Sequence, residues 1–195
     1  MKRSFFTNLI LLLSIMVTIQ SCNDEDFPAV ENEEEFIDNV RLTFTSADEQ
    51  LVFEAFDEDG QGAGSFIIPS IELKNNTNYV LSIELENTLT GDEITSEVSE
   101  EGDEHLFFYE WTEGLFVNPT GNGNADNRND VVNYIDNDLD GLPIGLITEW
   151  NTSEITTSSS KFRIVLKHQP NVKTSTSTIT DGETDLDITW PIIIN

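Results

Sequence analysis

The chain has 195 residues, of which 37 are acidic and nine are basic, and its formal net charge at pH 7 is −28. This charge argues against a nucleic-acid partner, because binding to phosphates draws most of its affinity from lysine and arginine. It also argues against attraction to anionic lipid head groups. Cationic partners, divalent metal ions and solubility are compatible with it.

The first 21 residues have the pattern of a secretory signal. Lys2 and Arg3 form a positive start, and a mainly apolar stretch follows from Phe5 to Ile19. A membrane-spanning helix needs about 20 apolar residues, so this stretch is too short to remain as a span. Residues 1–21 are therefore predicted to be a signal peptide.

The one cysteine of the chain follows directly. The segment Ile19-Gln20-Ser21-Cys22 resembles the lipobox of bacterial lipoproteins, in which the cysteine is acylated and becomes the new N-terminus. Ile19 and Gln20 depart from the usual family pattern of leucine followed by small residues. The resemblance implies a membrane anchor at Cys22 with more than one acyl chain, since a single chain holds only marginally. The alternative is an ordinary signal peptide with an incidental cysteine.

Residues 22–35 are crowded with carboxylates and hold little apolar surface. Such a segment cannot bury enough surface to offset the entropy of ordering, so we predict an acidic tether. Fully extended at about 3.3–3.6 Å per residue, it would reach up to ~45 Å from the bilayer. Asp24, Glu25 and Asp26 resemble the export signals of certain Gram-negative lipoproteins, which implies the cell surface of the outer membrane. The periplasmic face is the alternative.

Residues 36–195 have the size of a single domain. Their apolar residues alternate or form short runs, and β-branched and aromatic types dominate, which is typical of strands. No helix is predicted. Pro69 indicates a strand edge or a bulge. The predicted strands cover residues 40–45, 51–56, 66–68, 71–73, 79–85, 94–98, 106–111, 115–117, 131–135, 146–150, 162–166 and 186–194.

Many short strands separated by Gly, Asn and Asp clusters favour an all-β fold. We predict an immunoglobulin-like antiparallel β-sandwich, with an eight-stranded β-barrel as the alternative. The glycine-rich stretch 57–65 predicts a hairpin loop. Two long polar stretches, 118–130 and 151–160, are also predicted loops, which either carry function or serve as solvated spacers.

One acidic motif suggests calcium. In Asp136-Asn137-Asp138-Leu139-Asp140-Gly141, carboxylates at alternate positions precede a glycine, as in the first half of a calcium loop. Ile147 stands where an EF-hand would place its bidentate glutamate. The motif therefore resembles the shorter aspartate-rich calcium loops of extracellular β proteins, and predicts weak Ca²⁺ binding by Asp136, Asp138 and Asp140. Further ligands would come from Asp126, Asn129 and Asp130. The alternative is a simple acidic turn.

The only two histidines, His105 and His168, stand at the ends of predicted strands. A sandwich can bring strand ends together, so the pair, with Glu101, Asp103 or Glu104, is an alternative metal or haem site. Two histidines are otherwise structural or solvent-facing residues. This alternative would make the protein a metal or haem carrier.

Enzymatic motifs are weaker. No Gly-x-Ser-x-Gly elbow occurs, and acylation would occupy the one thiol. The aromatic run Phe107, Phe108, Tyr109 and Trp111 predicts a core strand. We therefore expect a non-catalytic, lipid-anchored binding or accessory module of the cell envelope, with an outer-membrane protein of an uptake system as its expected partner. A hydrolase that uses two of the many carboxylates is a further alternative.

Overall fold

The alternating apolar residues form two sheets. The computed structural model describes residues 35–58, 66–154 and 160–195, and in this part of the chain it contains ten strands and one short helix. In chain order the elements are β1 (Asn39–Thr45), β2 (Gln50–Asp57), β3 (Phe66–Ile67), β4 (Ile71–Leu73), β5 (Asn78–Glu86), α1 (Ile94–Glu100), β6 (His105–Trp111), β7 (Phe116–Asn118), β8 (Ile147–Thr152), β9 (Ser160–His168) and β10 (Glu183–Ile194).

The two sheets have six and four strands. The larger sheet has the order β3-β2-β1-β5-β8-β7, and the smaller has the order β4-β10-β9-β6. All neighbours are antiparallel except β4 and β10, which run parallel. The predicted all-β sandwich is thereby confirmed, and the described residues all belong to one compact unit.

Several predicted segments lie outside the described residues. They are the signal peptide, Cys22, the tether as far as residue 34, residues 59–65 of the predicted hairpin loop and residues 155–159 of the second polar loop. Within the described residues, no helix has the length and apolar character needed to cross a bilayer.

The core lies between the sheets and consists of the alternate residues of each strand. Phe44 of β1 meets Phe162 of β9 edge to face, with ring centroids 6.3 Å apart. On β6, Phe107, Tyr109 and Trp111 face this core, as the sequence predicted. Leu106 and Phe108, which point to the other side of β6, are buried too, because they lie in a second apolar cluster on the outer face of the smaller sheet.

Two predicted strands are wrong. Residues 94–98 lie in α1, where Ile94 and Val98 are one helical turn apart and are both buried. Residues 131–135 contribute only an isolated bridge, between Tyr134 and Thr148. Two backbone hydrogen bonds make this bridge, from the Ile135 amide to the Ile147 carbonyl and from the Glu149 amide to the Asn133 carbonyl, both at 2.9 Å. The Tyr134 hydroxyl also donates to the Phe107 carbonyl at 2.6 Å.

Candidate metal centre

The two histidines meet at one end of the smaller sheet. His105 opens β6, His168 closes β9, and the antiparallel register places them opposite each other. Because His105 shares its side of β6 with Phe107 and Tyr109, its ring points to the inside of the sandwich. The two imidazoles stack, with centroids 4.7 Å apart and planes inclined by 13°. The fold therefore brings together the pair that the sequence singled out.

His105 is a neutral imidazole that carries its proton on Nδ1. Its side chain is fully buried, and burial lowers the pKa of the imidazole to about 4. Its Nδ1 lies 3.1 Å from the Glu101 carbonyl oxygen. A carbonyl can only accept, so Nδ1 carries the proton and donates it. In the neutral ring, Nε2 is then left with its lone pair available to a ligand.

Two carboxylates converge on His105. One oxygen of Glu35, one oxygen of Glu101 and a ring nitrogen of His105 all lie within 4.8 Å of one another. Among the described residues, no other three His, Cys, Asp or Glu side chains meet so closely. Glu35 precedes β1 and Glu101 directly follows α1 as its C-cap residue, so the fold joins segments far apart in sequence.

The carboxylates repel one another. Burial, a hydrogen bond with Glu97 and the nearby charges of Glu97, Asp185 and Glu101 raise the pKa of Glu35 to about 7. A carboxyl group whose pKa is raised by like charges indicates a site with excess negative potential. Such a site favours either protons or a cation.

Asp185 adds a third acidic side chain beside the imidazole. Its Oδ2 lies 3.7 Å from His105 Nε2, and both side chains are fully buried. The register of β10 shifts between Thr184 and Leu186, so Asp185 lies in a bulge. A bulge re-aims a side chain that plain alternation would point away from the core. The alternation of apolar and polar residues therefore does not predict that the Asp185 side chain lies beside His105.

His168 has a separate acidic neighbour. Its Nε2 lies 3.3 Å from Glu104 Oε2, and its side chain is 4% exposed. Of the three predicted acidic neighbours of the histidines, Glu101 contacts His105 and Glu104 contacts His168. Asp103 is not a member of the group around His105.

In the predicted calcium motif, Asp136 and Asp138 accept hydrogen bonds from nearby backbone amides. Asp136 accepts backbone hydrogen bonds from Gly145 and Leu146, at 3.1 Å and 2.8 Å. Asp138 accepts hydrogen bonds from the amides of Asp140 and Leu142.

The Lys173 ammonium group also lies 2.9 Å from Asp138 Oδ2, so a protein cation already contacts this carboxylate. Asp140 is exposed. In the preceding loop, Asp130 accepts a hydrogen bond from Asn127, while Asp126 and Asn129 are exposed. Calcium binding by this motif stays a prediction.

Comparison with known proteins gave no match: no protein-family model, no curated protein and no solved structure is similar to this chain. The candidate centre is therefore defined by its own geometry.

Proposed function

We propose that this protein is a bacterial lipoprotein and acts as a non-catalytic binding module of the outer membrane. Acyl chains on Cys22 would hold it to the membrane, and the acidic tether would carry the β-sandwich at the cell surface. The expected partner is an outer-membrane protein, for instance one that takes part in uptake.

The observation that carries this proposal is the position of Cys22, the one cysteine of the chain. It ends the apolar leader, and only a short acidic stretch separates it from Glu35, the first described residue of the compact unit. An acyl group at this position would hold the sandwich near a membrane without entering its core.

A binding role is supported by the chemistry at His105. Its two ring nitrogens face a backbone carbonyl and a carboxylate. Because Nδ1 donates to the carbonyl, Nε2 is the ring nitrogen that can act as a ligand atom, and this supports a binding role.

Replacing Cys22 with serine tests the anchor. In a diderm bacterial host, we expect the parent chain to incorporate labelled palmitate and to sediment with the outer membrane. The Cys22→Ser variant should lose the label and leave the outer-membrane fraction. Ser21→Ala keeps a small residue before the cysteine and should behave as the parent chain does.

Protease treatment of intact cells then tests the surface location. We expect proteinase K to digest the domain without prior permeabilisation of the outer membrane. Digestion only after permeabilisation would place the domain on the periplasmic face. An unlabelled parent chain, or a Cys22→Ser variant that remains acylated, would contradict the lipoprotein proposal.

A further inference from the structure

We propose that Glu35, Glu101 and His105 bind a divalent transition-metal ion of the zinc class, with Asp185 as a further ligand. This site lies within the folded domain and does not depend on lipid attachment. Its existence can therefore be tested separately from the anchor.

The hydrogen bonding of His105 leaves its Nε2 available to bind a metal ion. Metal-bound histidines almost always donate their second ring N–H to a carbonyl, a carboxylate or water, which fixes the tautomer. His105 does this through Nδ1 to the Glu101 carbonyl. Its Nε2 is buried, has no hydrogen-bond partner and faces Asp185. A buried acceptor without a partner is costly, and an ion at this position would remove that cost.

The distances suit one ion. Ligand nitrogen and oxygen atoms that each lie about 2.0–2.2 Å from zinc are separated by roughly 3–4 Å in a tetrahedral or slightly wider arrangement. The 3.7 Å between His105 Nε2 and Asp185 Oδ2 falls in this range. The ligand atoms of Glu35, Glu101 and His105 lie within 4.8 Å of one another, which is slightly wider than the spacing of ligand atoms around a bound zinc ion. A small inward movement of the exposed Glu101 side chain would close it.

The charges also favour a cation. Glu35 lies among the acidic groups of Glu97, Glu101 and Asp185. Two lysines also act on this cluster, Lys173 on His105 and Lys167 on Asp185, but Lys173 is already paired with Asp138. A divalent cation would compensate several of these charges at once, and would do so strongly because part of the cluster is shielded from water.

The donor set indicates which class of ion would bind. Calcium and magnesium take oxygen ligands, whereas imidazole suits zinc and its transition-metal neighbours. One imidazole with two or three carboxylates is therefore a site for a zinc-like ion. The geometry supports haem less, because the His105 and His168 rings stack face to face with centroids 4.7 Å apart. That contact leaves no space for a porphyrin between them.

The test uses the full-length chain, purified in detergent and stripped with a chelator. Zn²⁺ is titrated by calorimetry, and thermal unfolding is followed with and without the ion. We expect one equivalent of Zn²⁺ to bind. At a free concentration about 100 times the Kd, the melting temperature should rise by about 5 °C or more, since a ligand of the folded state stabilises it. Millimolar Ca²⁺ should produce no comparable rise.

Three conservative variants locate the ion. Glu35→Gln and Glu101→Gln keep the size of each side chain, and each should weaken Zn²⁺ binding at least tenfold. Glu100→Gln, one residue away on the exposed end of α1, is the matched control and should bind as the parent chain does. Co²⁺ provides a second readout, because its visible absorption should change on binding and lose intensity in the first two variants.

Several results would overturn the proposal. They are a folded parent chain that does not bind Zn²⁺, equal stabilisation by Ca²⁺, and unchanged affinity in both Glu35→Gln and Glu101→Gln. Loss of binding in Glu104→Gln, with Glu101→Gln unaffected, would also overturn it, because the ion would then lie at His168. The Cys22→Ser variant should bind Zn²⁺ normally, so failure of the anchor and failure of the ion site give different results.

Discussion

Replacing Lys173 with methionine is expected to lower the free energy of unfolding by about 3–5 kcal/mol, the usual cost of breaking a buried ion pair from one side. The Lys173 and Asp138 side chains are 1% and 2% exposed, and their charged atoms lie 2.9 Å apart. Lys173 Nζ also donates to the Gly102 carbonyl at 2.5 Å. The variant would leave a buried carboxylate without its cation and a carbonyl without its donor.

Urea unfolding of the parent and variant chains measures this effect. Lys161→Met is the matched control, because Lys161 is exposed on β9 and its replacement should change stability by less than about 0.5 kcal/mol. A change below about 1 kcal/mol for Lys173→Met would contradict the importance that we assign to the pair.

The same pair predicts a pH dependence. Burial alone would raise the pKa of Asp138, but hydrogen bonds from Lys173 and from the Leu142 and Asp140 amides outweigh it and leave the pKa below its ordinary value of 3.8. The folded state then binds fewer protons than the unfolded state just below pH 3.8. The stability that Asp138 contributes is therefore present above that pH and is lost as the pH falls below it. In Lys173→Met this loss should begin at higher pH.

Replacing Trp150 with alanine is expected to cost about 3–5 kcal/mol, as is typical of an aromatic residue deleted from a core. Trp150 is fully buried. Its ring lies 5.0 Å from Trp111, 4.8 Å from Phe116 and 5.1 Å from Phe162, centroid to centroid. Its indole N–H donates to Thr148 Oγ1 at 2.7 Å, so the variant would also leave that hydroxyl without its donor.

Thermal and urea unfolding give the measurement for Trp150→Ala. Val52→Ala on the outer face of β2 is the control, because Val52 is 51% exposed and its truncation should have little effect. Similar stability losses in the two variants would show that the aromatic cluster does not dominate the core.

Alternation predicted the parts of the fold that depend on local pattern. The apolar residues of β1 and β10 alternate because one face of each strand packs against the core, whereas β6 and β9 carry buried apolar residues on both faces. That pattern also placed His105 and His168 near strand ends, although it could not show that the strands are neighbours. The helix at Ile94–Glu100 was missed because Ile94 and Val98 fit both a short alternating strand and one turn of helix.

The sequence predicted His105 and Glu101 as members of the candidate metal centre, but not Glu35 or Asp185. The acidic, weakly apolar stretch that includes Glu35 predicts a tether, yet the structure packs Glu35 near Glu97 and Glu101. Asp185 depends on a register shift in β10, which no local pattern encodes. The Asp136–Asp140 motif was ambiguous for a related reason. A calcium loop and an acidic turn share that spacing, and the contact from Lys173 is distant in sequence.

The mass of the N-terminal peptide tests the proposed function most directly. The full-length chain is expressed in a diderm bacterium, purified from its outer membrane and digested, and the first peptide is identified by mass spectrometry. We predict that it begins at Cys22 and carries more than one acyl chain on that residue. A peptide that begins elsewhere, or that contains an unmodified Cys22, would contradict the lipoprotein account.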